Sequence, residues 1–196
     1  LVTTSQSTSG GTTLLSPLPT TPSATTSATG AVATPVAEPG RNHQVASVLF
    51  DRGMLPLGQP GAETLTRSWG VVSAPTDAPG PFPLVVVLHG AHSFCAPPDS
   101  ARAWPCSQGP EERNQDGLSY LTEALARSGF VAIALGINAE YAQPGLQTGE
   151  VVAATIERDV IAPLRTGTNI GLLSASRVDA SGVVLVGHSR GAAIAS

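Results

Sequence analysis

The chain has 196 residues, of which 41% are hydrophobic and only 12% are charged, and its formal net charge is −4. All ten basic residues are arginine. This acidic balance argues against a nucleic-acid partner, which needs a basic surface for the phosphates. No apolar run approaches the roughly 18 residues of a membrane helix, and two cysteines rule out a four-cysteine zinc site.

Residues 1–40 differ in composition from the rest of the chain. Serine, threonine and proline fill 22 of these positions, and Glu38 is the only charged residue. Such a tract buries too little apolar surface to offset the entropy cost of ordering. Similar tracts are typical of linkers and stalks on exported proteins. We therefore predict a disordered linker or stalk over residues 1–40 and a secreted or cell-envelope location, although a tail without a role fits the same composition.

The remaining residues, 41–196, form the predicted domain and begin with strand-like segments. Two short β-rich pieces, Val45–Phe50 and Ser68–Ala74, predict antiparallel strands. Three continuous apolar runs each predict a strand that is covered on both faces, as in a parallel sheet. These runs are Leu84–Leu88, Phe130–Leu135 and Val183–Val186.

Helical spacing occurs between the apolar runs. Leucines over residues 118–125 predict one helix that Gly129 ends. The segment Val151–Leu164 predicts a second helix, and Pro163 is expected to distort its end. This alternation of strands and helices predicts an α/β fold with three layers and a mostly parallel sheet.

The third apolar run leads directly into a G-x-S-x-G sequence. A nucleophilic serine has to stand on a tight strand-to-helix turn, where only small residues fit two positions before and two positions after it. Ser189 is therefore the predicted nucleophile, and Gly187, His188 and Gly191 form its elbow. A plain strand-to-helix turn without chemistry is the alternative.

A second element follows the first apolar run, in His89-Gly90-Ala91. In acyl-transfer enzymes, a loop after such a strand provides one backbone N–H for the oxyanion, and the residue after the nucleophile provides the other. We expect the N–H groups of Ala91 and Arg190 to have these roles. His89 is expected to be structural, and His92 is a candidate lining residue of the cleft.

Residues 66–196 resemble the N-terminal half of an α/β-hydrolase, and the spans Pro83–Ser93, Phe130–Asn138 and Arg177–Ala192 carry the resemblance. The loop from His89 to Cys106 is similar to that of exported actinobacterial α/β-hydrolases related to cutinases, polyester hydrolases and platelet-activating-factor acetylhydrolases. The resemblance implies a Ser-His-Asp triad and ester hydrolysis through an acyl-enzyme. We expect neither a cofactor nor a metal ion.

The expected triad is incomplete in this chain. In the α/β-hydrolase order the acid and then the histidine follow the nucleophile, but only seven residues follow Ser189. We expect both partners beyond residue 196, little activity from this chain alone, and a parent esterase acting on small-molecule, lipid or polyester esters. A serine peptidase, an acyltransferase, and a non-catalytic surface or binding protein with a relict hydrolase body are the alternatives.

Smaller signals lie in the loop after Ala91. Cys95 and Cys106 are eleven residues apart, and export favours a disulfide with Cα atoms within roughly 7 Å; two free thiols are the alternative. Glu111–Glu112 is predicted to be solvated loop charge. Trp69 and Trp104 are predicted to pack in the core or in turns, with a role in lining a cleft as the alternative.

Overall fold

A computed structural model describes residues 42–195, and the predicted linker over residues 1–40 lies outside them. One five-stranded sheet has the strand order β1-β2-β4-β3-β5. Its strands are β1 (Val45–Leu57), β2 (Thr64–Pro75), β3 (Phe82–Leu88), β4 (Val131–Leu135) and β5 (Val178–Gly187). β1 and β2 pair antiparallel, β2 pairs antiparallel with β4, and β4, β3 and β5 are parallel. The predicted α/β class is confirmed.

Helices cover the sheet on both faces. They are α1 (Ser119–Arg127), α2 (Asn138–Ala142), α3 (Gly149–Ile156), α4 (Ala162–Arg165) and α5 (Arg190–Ala195). On one face, leucines of the α1 region pack on the small apolar residues of β3 and β4. On the other face, α3 and α4 pack on the opposite side chains of the same strands. Because β3 and β4 are covered twice, their runs are apolar without alternation, and the three-layer prediction is confirmed.

The second predicted helix has a distorted centre. α3 and α4 are joined by a π-helical turn over Glu157–Ile161, just before Pro163. Proline has no N–H to donate to the carbonyl four residues earlier, and an additional residue in the turn is a common way to relieve such a conflict. The predicted distortion is therefore confirmed, and α2 is a short helix that the periodicity did not predict.

The prediction that the last apolar run is buried on both faces is wrong. Within residues 42–195 β5 is the outer strand of the sheet, and Val184 and Leu185 are 52% and 40% exposed. Among these residues β5 pairs with β3 alone. The apolar sequence therefore predicted the strand correctly, but not how much of its two faces other elements bury. No helix of the described residues has the length and apolarity needed to cross a membrane.

A buried acid lies in α2, behind the carboxyl end of β4. Glu140 is 1% exposed, and its Oε1 accepts a hydrogen bond from Thr155 Oγ1 at 2.9 Å. Its Oε2 has no partner among the described residues. Burial raises the pKa of Glu140 to about 7, against the lowering effect of the Thr155 hydrogen bond and the Arg158 charge. In the folded protein Glu140 is therefore mainly protonated below about pH 7.

We predict that Glu140→Gln removes a pH dependence of stability. The folded pKa of about 7 lies above the ordinary 4.5, so the stabilisation is present below about pH 4.5 and is lost as the pH rises to about 7. The difference in the free energy of unfolding between wild type and variant should fall by on the order of 3 kcal/mol over this range. Urea denaturation at a series of pH values measures it, with Glu150→Gln at an exposed position as the control. A difference that stays constant with pH would contradict the prediction.

Candidate active site

The chain turns sharply where β5 ends. The His188 N–H donates to the Leu88 carbonyl oxygen of β3 at 3.0 Å, and α5 begins at Arg190. Between them Ser189 has a φ of 55°, and it is the one non-glycine residue with a positive φ in residues 42–195. This left-handed conformation costs an L-residue roughly 1–2 kcal/mol. It leaves the Ser189 side chain exposed at the tip of the turn.

Two glycines make this turn sterically possible. A methyl group in place of the Gly187 hydrogen would overlap the carbonyl group of Gly191. A methyl group on Gly191 would lie 2.6 Å from the Leu88 carbonyl oxygen and 2.8 Å from that of His89. The spacing of glycines two positions on either side of Ser189 therefore follows from contacts with the backbone itself.

The carboxyl end of β3 lies beside the turn. β3 and β5 are parallel with Leu88 opposite Gly187, so both strands end at the same edge of the sheet. A methyl group on Gly90 would lie 3.0 Å from Ser189 Cβ, so a glycine at this position permits the close approach. The structure thus brings the predicted elbow and the His89-Gly90-Ala91 loop together.

His89 is structural, as predicted, and it sets the direction of the next peptide. Its Nε2 accepts the Ile137 N–H at 3.0 Å, which places the ring proton on Nδ1 for the 2.7 Å hydrogen bond to the Gly90 carbonyl oxygen. Burial lowers the pKa of His89 to about 4, so the ring is neutral at pH 7. In a trans peptide the C=O and the following N–H point in opposite directions. The Ala91 N–H is therefore directed away from the buried ring.

The Ala91 and Arg190 N–H groups are the predicted oxyanion donors. Among the hydrogen bonds formed by residues 42–195, neither N–H is a donor. Arg190 opens α5, and the first N–H groups of a helix have no acceptor within the helix. Both amides follow the carboxyl ends of neighbouring strands. Their convergence on one point near Ser189 stays a prediction.

A small cavity of about 220 Å³ lies beside the turn. Its polar lining includes His92, His188, Asn114 and Tyr120. The rings of His92 and His188 are parallel, with centroids 6.1 Å apart. His92 therefore lines a cavity next to the predicted nucleophile. No group of the described residues forms a hydrogen bond with the Ser189 hydroxyl.

The loop after Ala91 is held together by covalent and hydrogen bonds. Cys95 and Cys106 form the predicted disulfide, with Cα atoms 5.6 Å apart. The Asp99 carboxylate accepts the N–H groups of residues 107, 108 and 109. It also accepts the Ser107 hydroxyl, and these hydrogen bonds, the hydroxyl first, lower the pKa of Asp99 to about 2. Asp99 lies within 4.8 Å of both sulfur atoms, but a disulfide leaves no thiolate to bind a metal ion.

The prediction that Glu111 is solvated loop charge is wrong. Its side chain is only 10% exposed, and its Oε1 accepts hydrogen bonds from Trp104 Nε1 at 3.2 Å and Asn138 Nδ2 at 3.1 Å. Burial raises the pKa of Glu111, against the lowering effect of these donors. Trp69 is buried in the core, as predicted, at 1% exposure. The partners Asn138 and Arg67 come from distant parts of the chain, and the local sequence carried no signal for them.

Comparisons with known proteins find similarity among solved structures. No protein-family model and no curated protein matches the chain. Among solved structures it is similar to a protein assigned as a dienelactone hydrolase from Klebsiella pneumoniae subsp. pneumoniae, at 18% identity and a TM-score of 0.37. The match covers 72% of this chain and 50% of the other, so the chain spans half the length of that structure. At this similarity the match carries no argument about chemistry, and the candidate site depends on the geometry described above.

We predict that Gly187→Ala destabilises the fold while Gly182→Ala on the same strand does not. The first methyl group would overlap the Gly191 carbonyl group, whereas the second would have no atom within 4 Å. Gly187→Ala should lower the free energy of unfolding by about 2–3 kcal/mol through overpacking. Gly182→Ala should change it by about 0.5 kcal/mol or less. Urea denaturation of both variants measures the difference, and equal stabilities would show that the turn is looser than described.

Proposed function

We propose that this chain carries the nucleophile of a serine hydrolase that acts on carboxylic esters through an acyl-enzyme. The observation that carries the proposal is the conformation of Ser189. This exposed serine holds a left-handed backbone between β5 and α5, with its Cβ next to Gly90 at the end of β3. Backbone strain of this kind persists where the surrounding structure imposes it, and it is concentrated at active sites.

The reaction assigns one role to each group. Ser189 Oγ attacks the ester carbonyl carbon while its proton passes to a general base. The carbonyl oxygen becomes an oxyanion, which accepts hydrogen bonds from the N–H groups of Ala91 and Arg190. Collapse of this intermediate breaks the ester C–O bond, and the alcohol leaves with the proton from the base. Water then attacks the acyl-enzyme, giving the acid and free Ser189.

The general base is a histidine that an acid orients. In the α/β-hydrolase order both residues follow the nucleophile, and we place them after residue 196. Serine without its base is a weak nucleophile, and the members of a triad act as a unit. We therefore expect residues 1–196 alone to turn over esters very slowly.

The proposed enzyme works outside the cytoplasm on small-molecule, lipid or polyester esters. A disulfide favours an oxidising compartment, and a tract rich in serine, threonine and proline is typical of linkers on exported proteins. The proposed chemistry needs no cofactor and no metal ion, because backbone amides supply the electrostatic stabilisation. Serine peptidases and acyltransferases use the same nucleophile, so an ester substrate tests the proposal most directly.

We predict that Ser189→Ala abolishes ester cleavage in the longest chain that the gene encodes. With p-nitrophenyl acetate the variant should lose about 1,000-fold or more of kcat/KM. Thermal unfolding should be nearly unchanged, because the Ser189 side chain is exposed. A fluorophosphonate should label the wild-type protein at Ser189, as mass spectrometry of its peptides would show.

The matched control is Ser181→Ala, an exposed serine of β5. It should keep the activity and the labelling of the wild type. Turnover that survives Ser189→Ala would contradict the assignment of the nucleophile. Absence of both cleavage and labelling in the wild type would favour a non-catalytic binding protein.

A further inference from the structure

A second concave region lies between the β1–β2 hairpin and the disulfide loop. It is a groove of about 610 Å³, within the range of pockets that hold small ligands. Its main lining side chains are Asp51, Met54, Arg67, Trp104 and Glu111. None of these residues lines the cavity beside Ser189, so the groove is a separate feature of the surface.

The hairpin supplies a fixed cation to one wall. β1 has a bulge between Asp51 and Met54, where the Asp51 carboxylate accepts the Gly53 N–H at 2.9 Å. The same carboxylate accepts Arg67 Nε at 3.2 Å, and the guanidinium lies over the Trp69 ring at 4.2 Å. An arginine that is held by both an ion pair and an aromatic face keeps one orientation.

The disulfide loop supplies an aromatic ring and a carboxylate to the other wall. Trp104 donates its indole N–H to Glu111 at 3.2 Å, and Glu111 Oε2 lies 3.6 Å from Arg67 Nη1. The Cys95–Cys106 disulfide holds the segment that carries Trp104. Both walls are therefore formed before any ligand binds, which lowers the entropy cost of binding.

The chemistry of the lining favours a neutral ligand with several hydroxyl groups. An anion would meet the carboxylates of Asp51 and Glu111, and a cation would meet the guanidinium of Arg67. A hydroxyl group both donates and accepts, so it can bond to carboxylate oxygens and to guanidinium N–H groups together. The Trp104 ring and the Met54 side chain offer apolar surface for the C–H face of a sugar ring.

The groove lies at the same edge of the sheet as Ser189. β2 is antiparallel to β4, and Gly70 pairs with Leu135, the last residue of β4. Arg67 precedes Gly70 in β2 and therefore lies beyond the carboxyl end of β4. The carboxyl ends of β3 and β5, which carry the candidate active site, are at this edge too.

We propose that the groove lined by Asp51, Arg67, Trp104 and Glu111 binds a neutral sugar. Its binding does not require the chemistry of Ser189.

The test is a binding titration of the 196-residue chain with xylobiose, cellobiose and maltose, each to about 20 mM. Indole N–H signals in ¹H–¹⁵N spectra report on the two tryptophans separately. At least one of the sugars should shift the Trp104 signal with a Kd of roughly 0.1–10 mM. The buried Trp69 signal should shift much less. Acetate and choline serve as the anionic and cationic comparison ligands.

Matched variants make the result decisive. Trp104→Ala should weaken sugar binding about tenfold or more. Trp104→Phe keeps an aromatic ring, so its Kd should stay within about threefold of the wild-type value. Backbone ¹H–¹⁵N signals measure binding in both variants. Leu49→Ala removes an exposed apolar side chain of β1 outside the groove and should leave binding unchanged. Thermal unfolding checks that each variant folds.

Three results would overturn the proposal: no shift with any of the three sugars, equal binding by Trp104→Ala, or tighter binding of acetate or choline than of every sugar. Ser189→Ala should bind the sugar as the wild type does. If the longest chain that the gene encodes binds the sugar but cleaves no ester, the proposed enzyme is contradicted and the sugar site stands. Ester cleavage without sugar binding would contradict the sugar site alone.

Discussion

The hydrogen bond from the His188 N–H to the Leu88 carbonyl oxygen sets the geometry on which the candidate site depends. It extends the parallel pairing of β3 and β5 one residue past the end of β5. The chain then has to turn within a single residue, because Gly191 packs against the same carbonyl oxygen. Ser189 is the residue left at the tip, and its left-handed conformation follows from contacts on both sides.

A second constraint comes from the buried ring of His89. Its two nitrogens link the Gly90 carbonyl after β3 to the Ile137 N–H after β4, and Tyr141 donates to the His89 carbonyl oxygen at 2.7 Å. Burial lowers the pKa of His89 to about 4, so protonation does not disturb these bonds near neutral pH. Loss of one such buried hydrogen bond costs about 1–3 kcal/mol. The peptide that carries the Ala91 N–H is thus held by the His89 ring, which is itself held by the residue after the neighbouring strand β4.

The sequence predicted what depends on local pattern. The runs Leu84–Leu88 and Phe130–Leu135 are apolar because helices cover both faces, so continuous apolar sequence predicted both strands and the α/β class. The tight turn around Ser189 depends on contacts that its two glycines make within five residues and with the end of β3, which is why a short pattern predicts such a turn. Its role as a nucleophile elbow stays a prediction. Within residues 42–195 β5 pairs with β3 alone, and the continuous apolar run did not predict the exposure that follows.

Long-range partners account for the other errors. Glu111 has the local sequence of a solvated loop acid, yet Asn138, Trp104 and Arg67 surround it. Arg67 lies 44 positions before Glu111 and Asn138 lies 27 positions after it. No periodicity links these residues, because the sheet order β2-β4 brings them together only in the folded chain. Arg67, Trp104 and Glu111 also line the groove of about 610 Å³ beside β1. Sequence patterns therefore did not predict the walls of this groove.

Strain at Ser189 and the free amides around it are two results of the same packing. The left-handed backbone costs roughly 1–2 kcal/mol, and the surrounding contacts offset this cost before any ligand arrives. These contacts satisfy the His188 N–H and the Leu88 carbonyl oxygen but leave the Ala91 and Arg190 N–H groups without an acceptor among residues 42–195. At an exposed turn such donors are hydrated. In the proposed reaction the carbonyl oxygen of the substrate replaces that water, and the donors need no rearrangement as charge develops on the oxygen.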